Sequence, residues 1–199
     1  MRFHFLVCAF ALAVVQGCGG DGSRPTEKQI AQAKVEAESA MDELQQRLSK
    51  RLTEALSEGS PEQALDLCAT VAREVTEEVA AEKGLVLRRT ALRYRNPDNA
   101  PTAREREYLQ KIQAMLASGD SMEEEKIRAA ECSAVRTDDG GWEYHCFRPI
   151  FVKEVCTLCH GTEDQISPAT REAISRHYPD DRATGFAVGD LRGAFSVRK

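Results

Sequence analysis

Cys156, Cys159 and His160 stand in the pattern C-x-x-C-H, with Thr157 and Leu158 between the thiols and Gly161 following. Three chemistries use thiols so spaced: a dithiol redox pair, half of a zinc site, and covalent attachment of a c-type haem. A redox pair belongs between a strand and a helix in a βαβ unit, and that alternation is absent from this sequence. A zinc site needs a second ligand pair at comparable spacing, and Cys132 and Cys146 are too far apart to supply it. The adjacent histidine favours haem. Two thiols add across the vinyl groups on one edge of the macrocycle, which brings the next residue beneath the iron as an axial ligand. One such motif implies one covalent haem c, held by Cys156 and Cys159 with His160 on the iron.

The opposite face of the iron then needs an occupant, and spacing leaves several open. Met115 lies on an apolar helical stripe, and Met122 stands among acidic residues. His145 alternates with Tyr144 and Cys146 on a strand-like segment, and His177 ends a short helical one. Cys68 falls on the apolar face of a helix, where a small buried thiol is the ordinary occupant.

The elements that position these groups are legible from caps and periodicity. Thr26 with Gln29 opens a helix whose stripe is Ile30, Ala33, Ala37, Met41, Leu44, Leu48, Leu52 and Leu56, ending at Gly59. Ser60, Pro61 and Gln63 open a second, with Ala64, Leu67, Cys68, Val71, Val75 and Val79 inward and Gly84 as its stop. Leu85 to Leu87 begins a strand, Asn96 to Pro101 is a rigid turn, and Thr102 with Glu105 caps a third helix that runs to Gly119. Lys126 to Arg136 and Trp142 to Val152 read as strands around a turn at Asp138 to Gly141, which places Cys132 and Cys146 within reach of a cross-strand disulfide. Ser167-Pro168 starts a short helix to His177, and Leu191 to Val197 is a last strand. Helices first and an antiparallel sheet later make an α+β domain with a long N-terminal helix.

The chain has 199 residues with a formal net charge of −5, which argues against a nucleic-acid binder. Phe5 to Val15 is an apolar stretch that suits a signal-peptide core and is too short to span a bilayer. It leads to Val15-Gln16-Gly17-Cys18, similar to a bacterial lipobox, with Cys18 as the lipidated residue. The expected organisation is therefore a lipoprotein-type signal peptide at 1–17, a flexible tether at 18–25 and one haem-binding domain at 26–199. The expected location is the periplasm, with a lipid anchor in the membrane.

Several motifs in order resemble one bacterial family. They are Ala64-Leu65-x-x-Cys68, Leu87-Arg88-Arg89-Thr90, Arg95-Asn96-Pro97-x-Asn99, and Phe151-Val152-Lys153-x-Val155-Cys156-x-x-Cys159-His160-Gly161. The ending Tyr178-Pro179-x-Asp181-x-Ala183-x-Gly185-Phe186, with Gly189-Asp190-Leu191-Arg192-Gly193-Ala194-Phe195-Ser196-Val197, belongs to the same series. They are similar to the Tll-type haem-binding domain family, over roughly residues 30–197. The resemblance implies a PAS-like antiparallel sheet flanked by helices, and one c-type haem with His160 and Cys68 as axial ligands. It also implies a redox or small-ligand sensor, with a diatomic gas as the ligand. A periplasmic electron-transfer cytochrome with a redox partner protein is the alternative, and an enzyme is not expected. Haem carries two propionates, and Arg88, Arg93 and Arg95 follow the ligand-bearing helix as the cations expected to neutralise them.

Overall fold

A computed structural model describes residues 23–119 and 126–199, without the side chains of residues 66–68. The signal segment, Cys18 and Met122 lie outside the described residues. Helix α1 spans Glu27–Glu58 and starts as its capping box requires, with Thr26 and Gln29 bonding reciprocally. Gly59 and Ser60 turn the chain into α2, Pro61–Lys83, whose first turn is closed by Gln63 Oε1 accepting from Ser60 N at 3.0 Å. A connection this short makes the two helices antiparallel neighbours. Arg47 ties them with a two-pronged bond to Glu82, at 3.0 and 2.6 Å.

Strand β1 (Val86–Thr90) follows, then α3 (Ala103–Ser118), capped by Thr102 and Glu105. Strands β2 (Glu131–Arg136) and β3 (Trp142–Phe151) form the hairpin, and β4 (Leu191–Arg198) closes the chain. Between β3 and β4 lie two short helices, α4 (Thr157–His160) and α5 (Pro168–His177). The strands make one antiparallel sheet in the order β1-β4-β3-β2. This is the expected α+β, PAS-like arrangement.

Strand alternation gives the sheet two different faces. Leu87, Cys146, Phe195 and Val197 point to α1 and α2, where Ala37, Ala40, Met41, Leu44, Val75 and Val79 complete the larger core. Phe147 and Ala194 point the other way, to Tyr108, Leu109 and Ile112 of α3. Cys132 and Cys146 face each other across the β2–β3 ladder and form a disulfide.

The structure departs from the sequence reading at two strand ends. The segment expected to begin a strand at Lys126 is a helical turn over 126–128, and β2 starts at Glu131. Ile127 is the reason: it is buried with Tyr108 and Ile112 beneath α3, a position an extended chain in the plane of the sheet does not reach. Strand β3 stops at Phe151, and Val152 instead exchanges main-chain bonds with Gly189 and Asp190.

The apolar stripe of α1 also serves two purposes. Its first two thirds fill the core; Leu48 packs against that core and, with Leu52 and Leu56 beyond it, lines a cavity with the start of α2.

Candidate functional site

The cavity is about 310 Å³ and lies where α1, α2, the sheet and α4 meet. Leu48, Leu52 and Leu56 form one wall, and Ala64, Leu65 and Ala72 of α2 another. The sheet supplies Arg89, Ile150, Gly193 and Phe195, and the remaining rim holds Cys156, Leu158, Cys159 and His160. Thus both thiols and the imidazole of the C-x-x-C-H motif border a single, mainly apolar space.

The motif is held in a tight turn directly after β3. Lys153 N donates to Cys156 Sγ at 3.3 Å, and Thr157 Oγ1 donates to Glu154 O at 2.7 Å. Gly161 follows because a Cβ there would lie 2.6 Å from Thr157 O, against backbone that cannot yield. Gly193 has a similar origin on the cavity floor, where a Cβ would come within 2.3 Å of Thr90 O across the β1–β4 pairing. Cys156 and Cys159 are half-buried thiols, whereas the disulfide removes Cys132 and Cys146 from any metal-binding reading.

His160 is oriented from outside the motif. Its Nδ1 donates to Ala183 O at 2.6 Å, which fixes the tautomer and leaves Nε2 as the nitrogen able to ligate a metal. Burial, and then the guanidiniums of Arg192, Arg95 and Arg89, hold its pKa well below the ordinary histidine value. The ring is therefore neutral at pH 7, the form a metal requires.

The cavity is cationic. Arg89, Arg95 and Arg192 line it, and Asp181, which pairs with Arg95 at 3.1 Å from its Nε, lies behind the lining residues. Arg192 feels this surplus: burial, followed by the charge of Arg95, pushes its pKa down to about 10. Two vinyl-reactive thiols, a neutral oriented imidazole, apolar walls and an excess of guanidinium together fit a haem c with its two propionates.

The structure sorts the other sequence candidates. Arg95 reaches the cavity, but Arg88 and Arg93 are committed elsewhere. Arg88 faces α3, where it lies 3.4 Å from Glu105 and donates to Asp98 O and Ala100 O. Arg93 is exposed, stacks on Phe186 at 4.2 Å and bonds Arg182 O and Thr184 O. Arg89 and Arg192 line the cavity, Arg192 while also donating to Arg93 O at 3.1 Å. Arg89 could have been found from strand alternation, since it shares the face of Leu87. Arg192 could not, because it is the extra residue in a bulge where Ile150 pairs with Gly193 but Phe151 pairs with Leu191.

Among the candidate sixth ligands, Met115 packs against the α3 core on the far face of the sheet. His145 sits beside Glu143, at the end of β3 that pairs with Arg198. His177 is exposed at the end of α5, next to Tyr178. Cys68 lies in α2 four residues after Ala64 and four before Ala72, both of which line the cavity.

A PAS-like domain with a C-x-x-C-H motif at a cationic, apolar cavity defines the class. The model of the Tll0287-like family matches residues 23–199, and the chain belongs to that family. Among solved structures, the chain is similar to the cyanobacterial heme-protein Tll0287. The TM-score is 0.60 and the sequences are 27% identical, over 87% of this chain and 95% of that one. A comparison with curated proteins finds no match.

Proposed function

We propose that this protein carries one haem c, bound through Cys156 and Cys159, with His160 and Cys68 as axial ligands, and acts as a redox or small-ligand sensor. The observation that carries this reading is the His160–Ala183 hydrogen bond beside two thiols on one cavity. Membership of a family that includes a structurally solved haem protein supports it. Haem iron supplies a one-electron couple and, when an axial ligand leaves, a position for a diatomic gas. The chain's own part is to attach the edge of the macrocycle, present Nε2 of His160, exclude water with Leu48, Leu52 and Leu56, and neutralise propionates with Arg89 and Arg192. In the sensing reading Cys68 is the responsive group, since a thiolate is held more strongly by ferric than by ferrous iron. We read the protein as a binding module and not as an enzyme.

A second reading, electron transfer to a redox partner, is favoured by a different observation. Val155 and Leu158, 45% and 38% exposed, present apolar surface beside the attachment cysteines. Apolar surface at a haem edge is where a redox partner would dock. Ultraviolet-visible and EPR spectra of both oxidation states, with and without carbon monoxide, separate the two. Rapid carbon monoxide binding to the ferrous form supports sensing, and a six-coordinate iron closed in both states supports transfer.

For location, we infer export by residues 1–17 and lipid anchoring at Cys18 to a periplasmic membrane face, with 18–25 as tether. No described helix is long and apolar enough to cross a membrane. Cys18→Ser should abolish lipid labelling and release the domain, and an unlabelled wild-type protein would remove the anchor from this account.

A further inference from the structure

Arg95 lines the cavity, yet its hydrogen bonds run away from it. It is 7% exposed, in the loop after β1, and its Nε and Nη2 grip Asp181 at 3.1 and 3.2 Å. The same Nη2 donates to Cys159 O at 2.6 Å and reaches Ala183 O at 3.4 Å. Asp181 Oδ1 in turn accepts from Ala183 N at 3.0 Å. Ala183 is therefore held at both its N–H and its carbonyl by one ion pair, and that carbonyl is the acceptor for His160 Nδ1. The segment is pinned to the motif from its other end as well, since Gly185 N donates to Gly161 O at 2.6 Å and Phe186 N to His160 O at 2.9 Å.

The geometry points to Arg95 and Asp181 as positioning residues for the axial histidine, and not as partners of the propionates. The inference rests on the haem reading above and adds to it a device that sets the imidazole's orientation and donor strength. A planar guanidinium can bridge a carboxylate and two carbonyls at fixed angles, which the point charge of a lysine cannot. Ala183 O has two lone pairs, one for the imidazole N–H and one facing Arg95. The cation draws electron density from the carbonyl, which weakens its pull on the Nδ1 proton and makes His160 a less basic ligand. Asp181 opposes this by neutralising the cation and by fixing the backbone of residue 183.

Charge and position can be told apart by four variants of the full-length holoprotein: Arg95→Lys, Arg95→Gln, Asp181→Asn and Asp181→Ala. A positioning role predicts that Arg95→Lys fails to rescue. Like Arg95→Gln, it should give a ferric EPR signal with shifted and broadened g values, because the fork geometry is lost while the charge remains. Asp181→Asn keeps an oxygen for Ala183 N and should retain a single ferric species with a raised midpoint potential, whereas Asp181→Ala should give mixed species. If all four keep the wild-type g values and potential while melting lower, the pair is structural only and the inference is overturned. Wild-type-like EPR and potential in Arg95→Lys alone would leave a purely electrostatic role and overturn positioning.

A wild-type protein without covalent haem would instead refute the haem reading. The clamp is then tested by 15N NMR of the His160 ring in the haem-free full chain. The Nδ1–H tautomer should dominate in wild type and mix with the other in Arg95→Lys. An unchanged tautomer would overturn the clamp.

Discussion

Arg88 and Arg89 are adjacent in β1 and serve opposite faces of the sheet: Arg88 lies 3.4 Å from Glu105 on α3, while Arg89 lines the cavity. Glu105 is 4% exposed and also accepts from Thr102 N at the head of α3. Arg88→Met would leave this carboxylate buried without its cation, at a cost of roughly 2–3 kcal/mol. Chemical denaturation should show that loss while the haem spectrum and midpoint potential stay as in wild type. A changed potential with unchanged stability would return Arg88 to the cavity.

Attachment should depend on both motif thiols. Cys156→Ala or Cys159→Ala is expected to leave little or no holoprotein, because the same turn that presents the thiols places His160. Acid–acetone extraction gives the complementary check on wild type. Haem that comes away into the solvent would end the c-type assignment.

Cys68→Ala should keep covalent haem, raise the midpoint potential and convert a low-spin ferric spectrum to a high-spin one, since a thiolate stabilises the ferric state. Cys68→Met should raise the potential further if the thioether reaches the iron. An unaltered ferric EPR spectrum and potential in Cys68→Ala would remove Cys68 from the iron.

Arg192 offers a test with opposite signs in the two states of the protein. Burial and then the charge of Arg95 push its folded pKa down to about 10, below the ordinary arginine value, so the unfolded chain binds the proton more tightly. Its charge therefore opposes folding at every pH below about 10, and this opposition is relieved as pH rises above that toward the ordinary arginine range. At pH 7, Arg192→Gln should stabilise the haem-free chain by on the order of 1 kcal/mol. In the holoprotein, where propionates supply the missing negative charge, the same change should destabilise and lower the midpoint potential. Urea unfolding of both forms reads the crossover, and a shift of the same sign in each would contradict a propionate role.

These contrasts mark how far the sequence could be read. Local signals carried through: the capping boxes at Thr26, Ser60 and Thr102 all open helices where expected. The C-x-x-C-H motif, complete within five residues, borders the cavity. Where each arginine sits had no local signal, because it depends on long-range facts. Arg88 is diverted by Glu105, Arg93 by a loop near residue 184, and Arg192 is admitted by a bulge. The role of Ala183 had no local signal either, since a main-chain carbonyl acts there through a contact 23 residues away.

The disulfide has a consequence for how the chain matures. Cys132, Cys146, Cys156 and Cys159 lie close together in sequence, and one pair ends oxidised while the other stays as thiols. Thiol chemistry alone does not distinguish the four. Strand pairing does, by setting Cys132 opposite Cys146 in the ladder and sealing Cys146 to 1% exposure. Cys146 also pairs with Val197 of β4, so it sits inside the sheet with a neighbouring strand on each side. The hairpin thus selects a partner for Cys146 as it forms, since the ladder register brings Cys132 opposite it and not Cys156 or Cys159.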